Sequence, residues 1–411
     1  MTQAETMSGS TPGTARPLPL EGVRVIELGS LIAGPYAAGL LAQFGAEVLK
    51  IEPPQDGDPL RKWRKLHDGT SLWWYSQSRN KKSVTLDLRS PAGQDIVRKL
   101  VAQADIVVEN FRPGTLEKWG LGWEDLHAVN PALVMVRVSG YGQTGPYKDR
   151  PGFAAIAESM GGLRYVSGYP DRPPVRSGVS IGDTLASLYG VIGALLAMHH
   201  LRANGGEGQF IDVALYESVF AVMESLVPEY AMFGHVRERS GASLPGISPS
   251  NTYPCQDGHY VIIAGNGDAI FRRFMTAIGR VDLGQDPRLA HNDGRVAHNA
   301  MLDDAITAWT RERSLDEVLD VLEAAAVPCG RIYTAEDICA DPHYQARDMI
   351  ESHTLPDGEA VSLPGIVPRL SETPGQTRWV GPGLGAHTEE VLASIGIAGK
   401  DFQALRESGV V

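Results

Sequence analysis

Five short runs rich in Val, Ile and Leu, each separated from the next by a longer stretch, constrain this chain more than any other feature. They cover residues 23–28, 46–51, 83–88, 105–109 and 133–138. Most of the runs have adjacent apolar residues, as in strands buried on both faces, while Ser83-Val-Thr-Leu-Asp-Leu88 alternates. Helix-length stretches intervene. Residues 35–44 carry small helix-forming side chains, and Ser90-Pro91 supplies an N-cap and a first-turn proline for a helix to about 104. Repeated strand–helix units predict a mostly parallel sheet with helices on both faces. A sixth strand is predicted over 208–213. The fold class expected is α/β: a Rossmann-like large domain with a smaller α+β domain.

Ligands of such sheets bind beyond the carboxyl ends of the strands. Here those positions are 29–35, 52–54, 110–114 and 139–146. The first strand runs into Gly29-Ser-Leu-Ile-Ala-Gly34-Pro35. That segment does not fit G-x-G-x-x-G, which disfavours a nicotinamide enzyme.

The pattern changes after residue 213. A helical stretch over 217–232 precedes a Gly/Pro/Ser-rich segment. A strand at 259–264 then ends in Gly265-Asn266-Gly267, and helices are predicted near 270–278, 301–311 and 315–325. The expected organisation is a disordered tail at 1–17, a large domain at 18–224, a small domain at 225–335 and a C-terminal return at 336–411.

A net charge of −12 argues against a general nucleic-acid binder. An anionic ligand must therefore meet local cations. Arg61-Lys62-Trp63-Arg64-Lys65 is one cluster. Arg79-Asn80-Lys81-Lys82, beside Trp73-Trp74-Tyr75, is another. Each reads equally as a solvated basic face. The three cysteines lack metal-ligand spacing and fit a reducing, cytoplasmic setting. No signal peptide is expected, and the apolar run at 185–198 is too short to span a bilayer.

Asp183 follows Gly182 and opens that apolar run. It has two readings: an N-cap that accepts first-turn N–H groups, or a nucleophile held ionised at a positive helix end.

Five motifs in chain order decide between them: Asn80-Lys-Lys-Ser83, Val108-Glu-Asn-Phe-Arg-Pro-Gly114, Gly140-Tyr-Gly-Gln-Thr-Gly-Pro146, Gly182-Asp183 and Gly206-Glu-Gly-Gln-Phe-Ile-Asp212. Together they resemble the class III CoA-transferases, the group that includes formyl-CoA transferase, carnitine CoA-transferase and alpha-methylacyl-CoA racemase. The look is nearest to dicarboxylate-using members such as succinyl-CoA:glutarate CoA-transferase. The resemblance implies that Asp183 is the nucleophile, with the cap role able to coexist. It also implies that Gly265, Asn266 and Gly267 form an oxyanion loop, and that Arg61, Lys81, Lys82, Asn110, Phe111 and Lys118 contact coenzyme A or lie beside it. Tyr141 and Gln143 would position the acyl group. Among Arg164, Arg172, Arg176, Arg272 and Arg273, the preferred partner for a second carboxylate is Arg176. The expected partners are an acyl-CoA, a carboxylic acid and a second copy of the chain in an interlocked homodimer. Neither nucleic acid nor membrane is expected, and neither metal nor cofactor beyond the CoA thioester itself.

Two departures from the family pattern matter. Pro53 stands where formyl-CoA transferase has an arginine after the Ile-Glu pair, so the nucleotide end must be held differently. Phe153 stands where the racemases carry a histidine, so proton transfer to and from opposite faces lacks one partner. Racemisation and non-catalytic CoA binding remain the alternatives to transfer.

Overall fold

The computed structural model describes residues 16–411. Of the tail expected over 1–17, only residues 16 and 17 fall within the described part, and Arg16 pairs there with Glu372. The chain forms two compact units. The first comprises the chain up to Leu163, Ser177–Glu224 and Asp348–Val411. The second comprises Arg164–Arg176 and Ser225–Arg347.

The first unit is built on six strands: β1 (Arg24–Glu27), β2 (Glu47–Glu52), β3 (Lys81–Thr85), β4 (Ile106–Glu109), β5 (Val134–Ser139) and β6 (Phe210–Ala214). They lie in the order β3-β2-β1-β4-β5-β6, and every pairing is parallel. This is the doubly wound order. Its reversal between β1 and β4 opens a crevice at their carboxyl ends. All six strands overlap the predicted runs, with ends displaced by one or two residues, except that β3 starts two residues earlier than expected and ends three earlier.

The helices of this unit that bear on the site are α1 (Ala33–Gln43), α2 (Pro91–Val101), the one-turn α3 (Thr115–Lys118), α4 (Ala154–Met160), α5 (Ile181–Asn204) and α6 (Leu215–Phe220). The Ser90 hydroxyl caps α2 by accepting from Gly93 N at 3.0 Å. Helices α1 and α5 share one apolar layer with the sheet, while α2 lies in the layer on the other face.

Helix α5 packs closely because its inward residues are small. A Cβ on Gly190 would lie 3.1 Å from Val136 Cγ1, and one on Gly193 would lie 2.7 Å from Ile211 Cγ2. The helix therefore rests directly on β5 and β6. It is 24 residues long, and by length and apolarity it could cross a bilayer. That corrects the expectation drawn from 185–198, because the helix begins earlier and runs on through His199, His200 and Arg202. Its contact with the sheet is that of a core-covering helix.

The stretch 217–232 is not one helix. α6 ends at Phe220, and a separate α7 (Leu226–Phe233) follows. Between them Glu224 has φ of 53°. The chain leaves the first unit there, and the left-handed residue keeps the two helices from running on as one.

The second unit carries an antiparallel sheet of β7 (Ser250–Pro254), β8 (Tyr260–Ala264) and β9 (Cys329–Arg331), with β8 central. Helix α8 (Asp268–Ala277) packs through Phe271, Phe274 and Met275 into its core. A hairpin of β10 (Ile350–Thr354) and β11 (Ala360–Pro364) belongs to the first unit.

Candidate active site

The β1–α1 turn, Gly29 to Pro35, lies at the sheet's switch point and is held by side chains from several segments. Asn110, just past β4, accepts from Ser30 N at 2.8 Å and donates to Ser30 O at 2.8 Å. Asp58 accepts from Leu31 N, and Gln77 donates to Leu31 O. Lys50 donates to Gly29 O at 2.8 Å and Lys81 to Pro35 O at 2.6 Å. Leu31 itself has φ of 64°, a conformation that a non-glycine residue keeps only when its surroundings enforce it.

Asp183 lies beside this turn. It is the third residue of α5, half-buried in the first turn, and Ser180 occupies the cap position. The N-cap reading of Asp183 is thus corrected: the apolar run begins at 185, but the helix begins at Ile181. A carboxylate in the first turn still feels the positive end of the helix dipole. Ser187, one turn on, donates to Ala33 O at 2.7 Å and to Asp183 O at 2.7 Å. Since α1 starts where β1 ends, that bond sets the Asp183 turn at the carboxyl end of the sheet. On the other side, a Cβ on Gly182 would come within 3.3 Å of Ala154 Cβ. Phe153, which precedes Ala154 and stands at the N-cap of α4, is therefore close to the Asp183 turn.

Beneath the turn is a buried ionic network. Glu27 pairs with Lys50 and Lys81 at 2.8 Å each, Lys50 pairs with Asp58 at 2.8 Å, and Arg61 pairs with Glu52 at 2.7 Å. Three cations thus meet three carboxylates. Burial pulls the Lys50 ammonium down, but Asp58, Glu27 and Glu52 outweigh it and hold the group above its ordinary range. Burial dominates at Lys81 and holds that ammonium below its ordinary range despite Glu27. Burial alone would raise Glu52 and Asp58, yet Arg61 and Lys50 keep both carboxyls below the usual range.

A cavity of about 430 Å³ opens beyond β1, β2 and β3. Its walls include Gly29, Lys50, Pro53, Arg89, Phe111 and Trp119. Of the six residues expected near coenzyme A, Phe111 lines it, with its ring edge-on to Trp119 at 5.4 Å. The other five are placed elsewhere. Arg61 is stacked at 3.6 Å on Trp74 and joined to Glu52, and Lys81 sits in the network. Lys82 bonds Glu47 and Glu390, whose charges hold its ammonium up against the effect of burial. Asn110 pins the turn, and Lys118 is exposed at the end of α3. The sequence reading missed Arg89, an exposed cation on the cavity wall. The rule that ligands lie beyond strand ends would have found it, four residues after β3.

Tyr141 and Gln143 are on the loop after β5. Asp212 accepts from Gln143 N at 2.9 Å. The Gln143 amide nitrogen is buried without a hydrogen-bond partner. Tyr141 lies between Tyr147 and Tyr216, at centroid distances of 6.0 and 6.3 Å.

Arg176 and the Gly265–Gly267 loop belong to the second unit, whereas Asp183 belongs to the first. The loop joins β8 to α8. A Cβ on Gly265 would lie 2.7 Å from Phe274 Cδ1, so close packing requires glycine there. Arg295, fully buried and absent from the sequence reading, donates to Asn266 O at 2.6 Å and to Asp268 at 2.7 Å. The same guanidinium reaches Ser248 O and Leu289 O. Among the described residues no cluster of His, Cys, Asp and Glu is arranged to hold a metal.

Comparison with known proteins gives three further findings. Residues 20–388 match CoA-transferase family III. The chain is 50% identical over 397 residues to the succinyl-CoA–D-citramalate CoA-transferase of Chloroflexus aurantiacus, covering 96% of this chain and 98% of that protein. It is 37% identical over 386 residues to a succinate–glutarate CoA-transferase of Agrobacterium fabrum, covering 92% and 96% of the two chains. A solved CAIB/BAIF family protein from Brucella suis superposes with a TM-score of 0.82 at 35% identity, covering 92% of this chain and all of that one.

Proposed function

The chain belongs to CoA-transferase family III, and from that premise we propose that it moves CoA from succinyl-CoA to a dicarboxylic acid through Asp183. The observation that carries the reading is the position of Asp183, in the first turn of α5 beside the fixed β1–α1 turn.

In this scheme the Asp183 carboxylate attacks the thioester carbonyl. The C–S bond breaks, and a mixed anhydride and the CoA thiolate result. The thiolate attacks the aspartyl carbonyl, releasing the donor acid and leaving an aspartyl-CoA thioester. The acceptor carboxylate attacks that thioester, forming a second anhydride and freeing the thiolate again. The thiolate then attacks the acceptor acyl carbonyl, which yields the new thioester and restores Asp183. Nucleophilic catalysis replaces one difficult exchange with several easier ones. One thioester is made for each one broken, so the scheme calls for neither ATP nor metal.

The roles follow the placement. The cavity beyond β1–β3 takes the nucleotide end of CoA, with Phe111 and Trp119 as its apolar wall and Arg89 and Lys118 available to phosphates. Lys81 acts from behind by holding the turn at Pro35 O, and Arg61 by fixing Glu52 in the network beneath it. Tyr141 and the unpaired Gln143 amide position the acyl group. Gly265 N–H already donates to Pro249 O at 2.9 Å, so of the Gly265–Gly267 loop the backbone N–H groups of Asn266 and Gly267 are the ones that stabilise the oxyanion. Arg176 takes the second carboxylate. Citramalate and glutarate, the acceptors named for two relatives, both carry one. Racemisation is disfavoured because the position near the Asp183 turn holds Phe153, which cannot carry a proton.

A second copy of the chain covers the apolar face that α4 and α5 present, where Phe153, Ile156, Ile192 and Leu196 are exposed. The three free cysteines, Cys255, Cys329 and Cys339, suit a cytoplasmic protein.

Asp183→Asn should lower exchange on the order of a thousandfold or more, while CoA binding and fold persist. Mass spectrometry of the CoA products from succinyl-CoA with citramalate, malate and glutarate reads it. Retained exchange in the variant overturns the nucleophile. Wild-type protein inactive with every dicarboxylate overturns the acceptor class.

A further inference from the structure

Two charged residues face each other across the centre of the first unit's sheet and take no part in the chemistry above. Glu109 ends β4, Arg137 lies in β5, and the two are register partners. Both are buried, and Arg137 Nε donates to Glu109 Oε1 at 2.8 Å. A buried ion pair of this kind seldom stabilises a fold more than apolar residues of the same size would. What it can do is fix the geometry of whatever its remaining atoms hold.

Those atoms hold the two ends of a single loop. Glu109 Oε2 accepts from Phe111 N at 2.8 Å, at the loop's start. The other side of the guanidinium, Nη2, pairs at 2.8 Å with Glu117 on α3, at its end. Between and just beyond those ends are Asn110, which pins Ser30, Phe111 and Trp119, which wall the cavity, and Lys118. Gly114, at φ of 81°, lets the loop turn back into α3. One guanidinium thus closes the loop on itself. Arg112 adds a bond to Asp149 O, but it is exposed and holds the middle of the loop only.

We propose that Arg137 is a positioning residue for coenzyme A: by bridging Glu109 and Glu117 it sets the Phe111–Trp119 wall of the nucleotide cavity. The proposal rests on the reading of that cavity as the CoA site. It concerns affinity for the CoA moiety and not the acyl exchange at Asp183: the loop reaches the β1–α1 turn only through Asn110, and that turn is held independently by Asp58, Gln77, Lys50, Lys81 and Ser187. Lysine cannot replace the arginine, since an ammonium lacks the fork that spans two carboxylates.

The test separates ground-state binding from chemistry. Glu117 is partly exposed, so Glu117→Gln keeps the fold and cuts one arm of the bridge. It should raise the KM for succinyl-CoA and the Kd of free CoA together by about three- to tenfold, with kcat within about twofold. Arg137→Lys should move the same two quantities further in the same direction. Calorimetry with free CoA reads the Kd, and steady-state kinetics read the split. Unchanged KM and Kd in folded Glu117→Gln overturn the bridge while leaving the transferase intact. A loss of kcat without a change in Kd overturns it too, because the effect would then lie at Asp183. Wild-type protein that binds no CoA overturns both the proposal and the cavity reading beneath it.

Discussion

Gly29–Pro35 and Gly265–Gly267 are both glycine-bearing turns that leave a strand and enter a helix, and opposite means hold them. The first receives bonds from Asn110, Asp58, Gln77, Lys50, Lys81 and Ser187, each from a different position in the chain. The second has one backbone bond, Gly265 N to Pro249 O at 2.9 Å, and its side-chain restraint comes from one guanidinium, Arg295, which also ties down Ser248 and Leu289. Restraint spread over many side chains tolerates the loss of one. Restraint gathered in one buried cation does not. The difference suits the roles proposed, a rigid floor beside the nucleophile and a loop whose setting depends on a single contact set.

Arg295→Met is the strongest way to break this comparison. Removing the guanidinium leaves three carbonyl oxygens without their donor and the Asp268 carboxylate with His291 alone, at a cost of about 3–5 kcal/mol. Hydrogen exchange should accelerate across 265–295 while the sheet of the first unit keeps its protection. Unchanged protection around Asn266 would show that the second turn is as redundantly held as the first.

The sequence made some of this legible and hid the rest for physical reasons. The six parallel strands are legible because each carries a short Val-, Ile- or Leu-bearing run set off from the next by a longer stretch, and the Ser90-Pro91 cap because its chemistry is local. Arg61 and Lys81 drew attention as cations, but a basic residue looks the same in sequence whether it faces a phosphate or a buried carboxylate. Their partners, Glu52 and Glu27, lie in strands whose pairing register sets the contact. Lys50, Arg137 and Arg295 are not legible in the sequence because the groups they bind are brought to them only by the fold. The strands β7 and β9 and the β10–β11 hairpin lie in stretches too short or too rich in Gly, Pro and polar residues to show a period. The start of α5 was misplaced because Ile181 and Gly182 precede the apolar run that marked the helix.

pH offers a middle-sized contrast. Burial pushes the Glu109 carboxyl up to about 7, against the pull of Arg137. A raised carboxyl contributes stability below its ordinary value of 4.5, and that contribution is lost as pH rises through about 7. The loop that begins at Glu109 carries Asn110, so the first unit should lose up to about 3 kcal/mol between pH 4.5 and 7.5. Glu109→Gln should flatten that slope. In the second turn Arg295 and His291 hold the Asp268 carboxyl below its ordinary range. Its contribution is lost only as pH falls below the usual carboxylate range, so that carboxyl is silent near neutrality. Denaturant unfolding followed from pH 4.5 to 8, with probes in each unit, reads both. A first unit as flat as Glu109→Gln would remove the contrast.

The smallest effect tests redundancy within the first turn itself. A Cβ on Gly29 would lie 2.7 Å from Asn110 Oδ1, too close for any real pair, although Gly29 does not have a left-handed φ. Glycine is therefore required by the asparagine and not by the backbone. Gly29→Ala should cost about 1–2 kcal/mol by overpacking. Asn110→Ala should cost about 1–2 kcal/mol by stripping both Ser30 groups of their partner, with Asp58, Gln77 and Lys50 still holding the turn. In the double variant the clash is gone, so the costs should fall short of their sum by about 0.5–1 kcal/mol. Strict additivity would mean that the turn shifts away from Asn110 at little cost. The first turn would then be no more rigid than one held by a single contact.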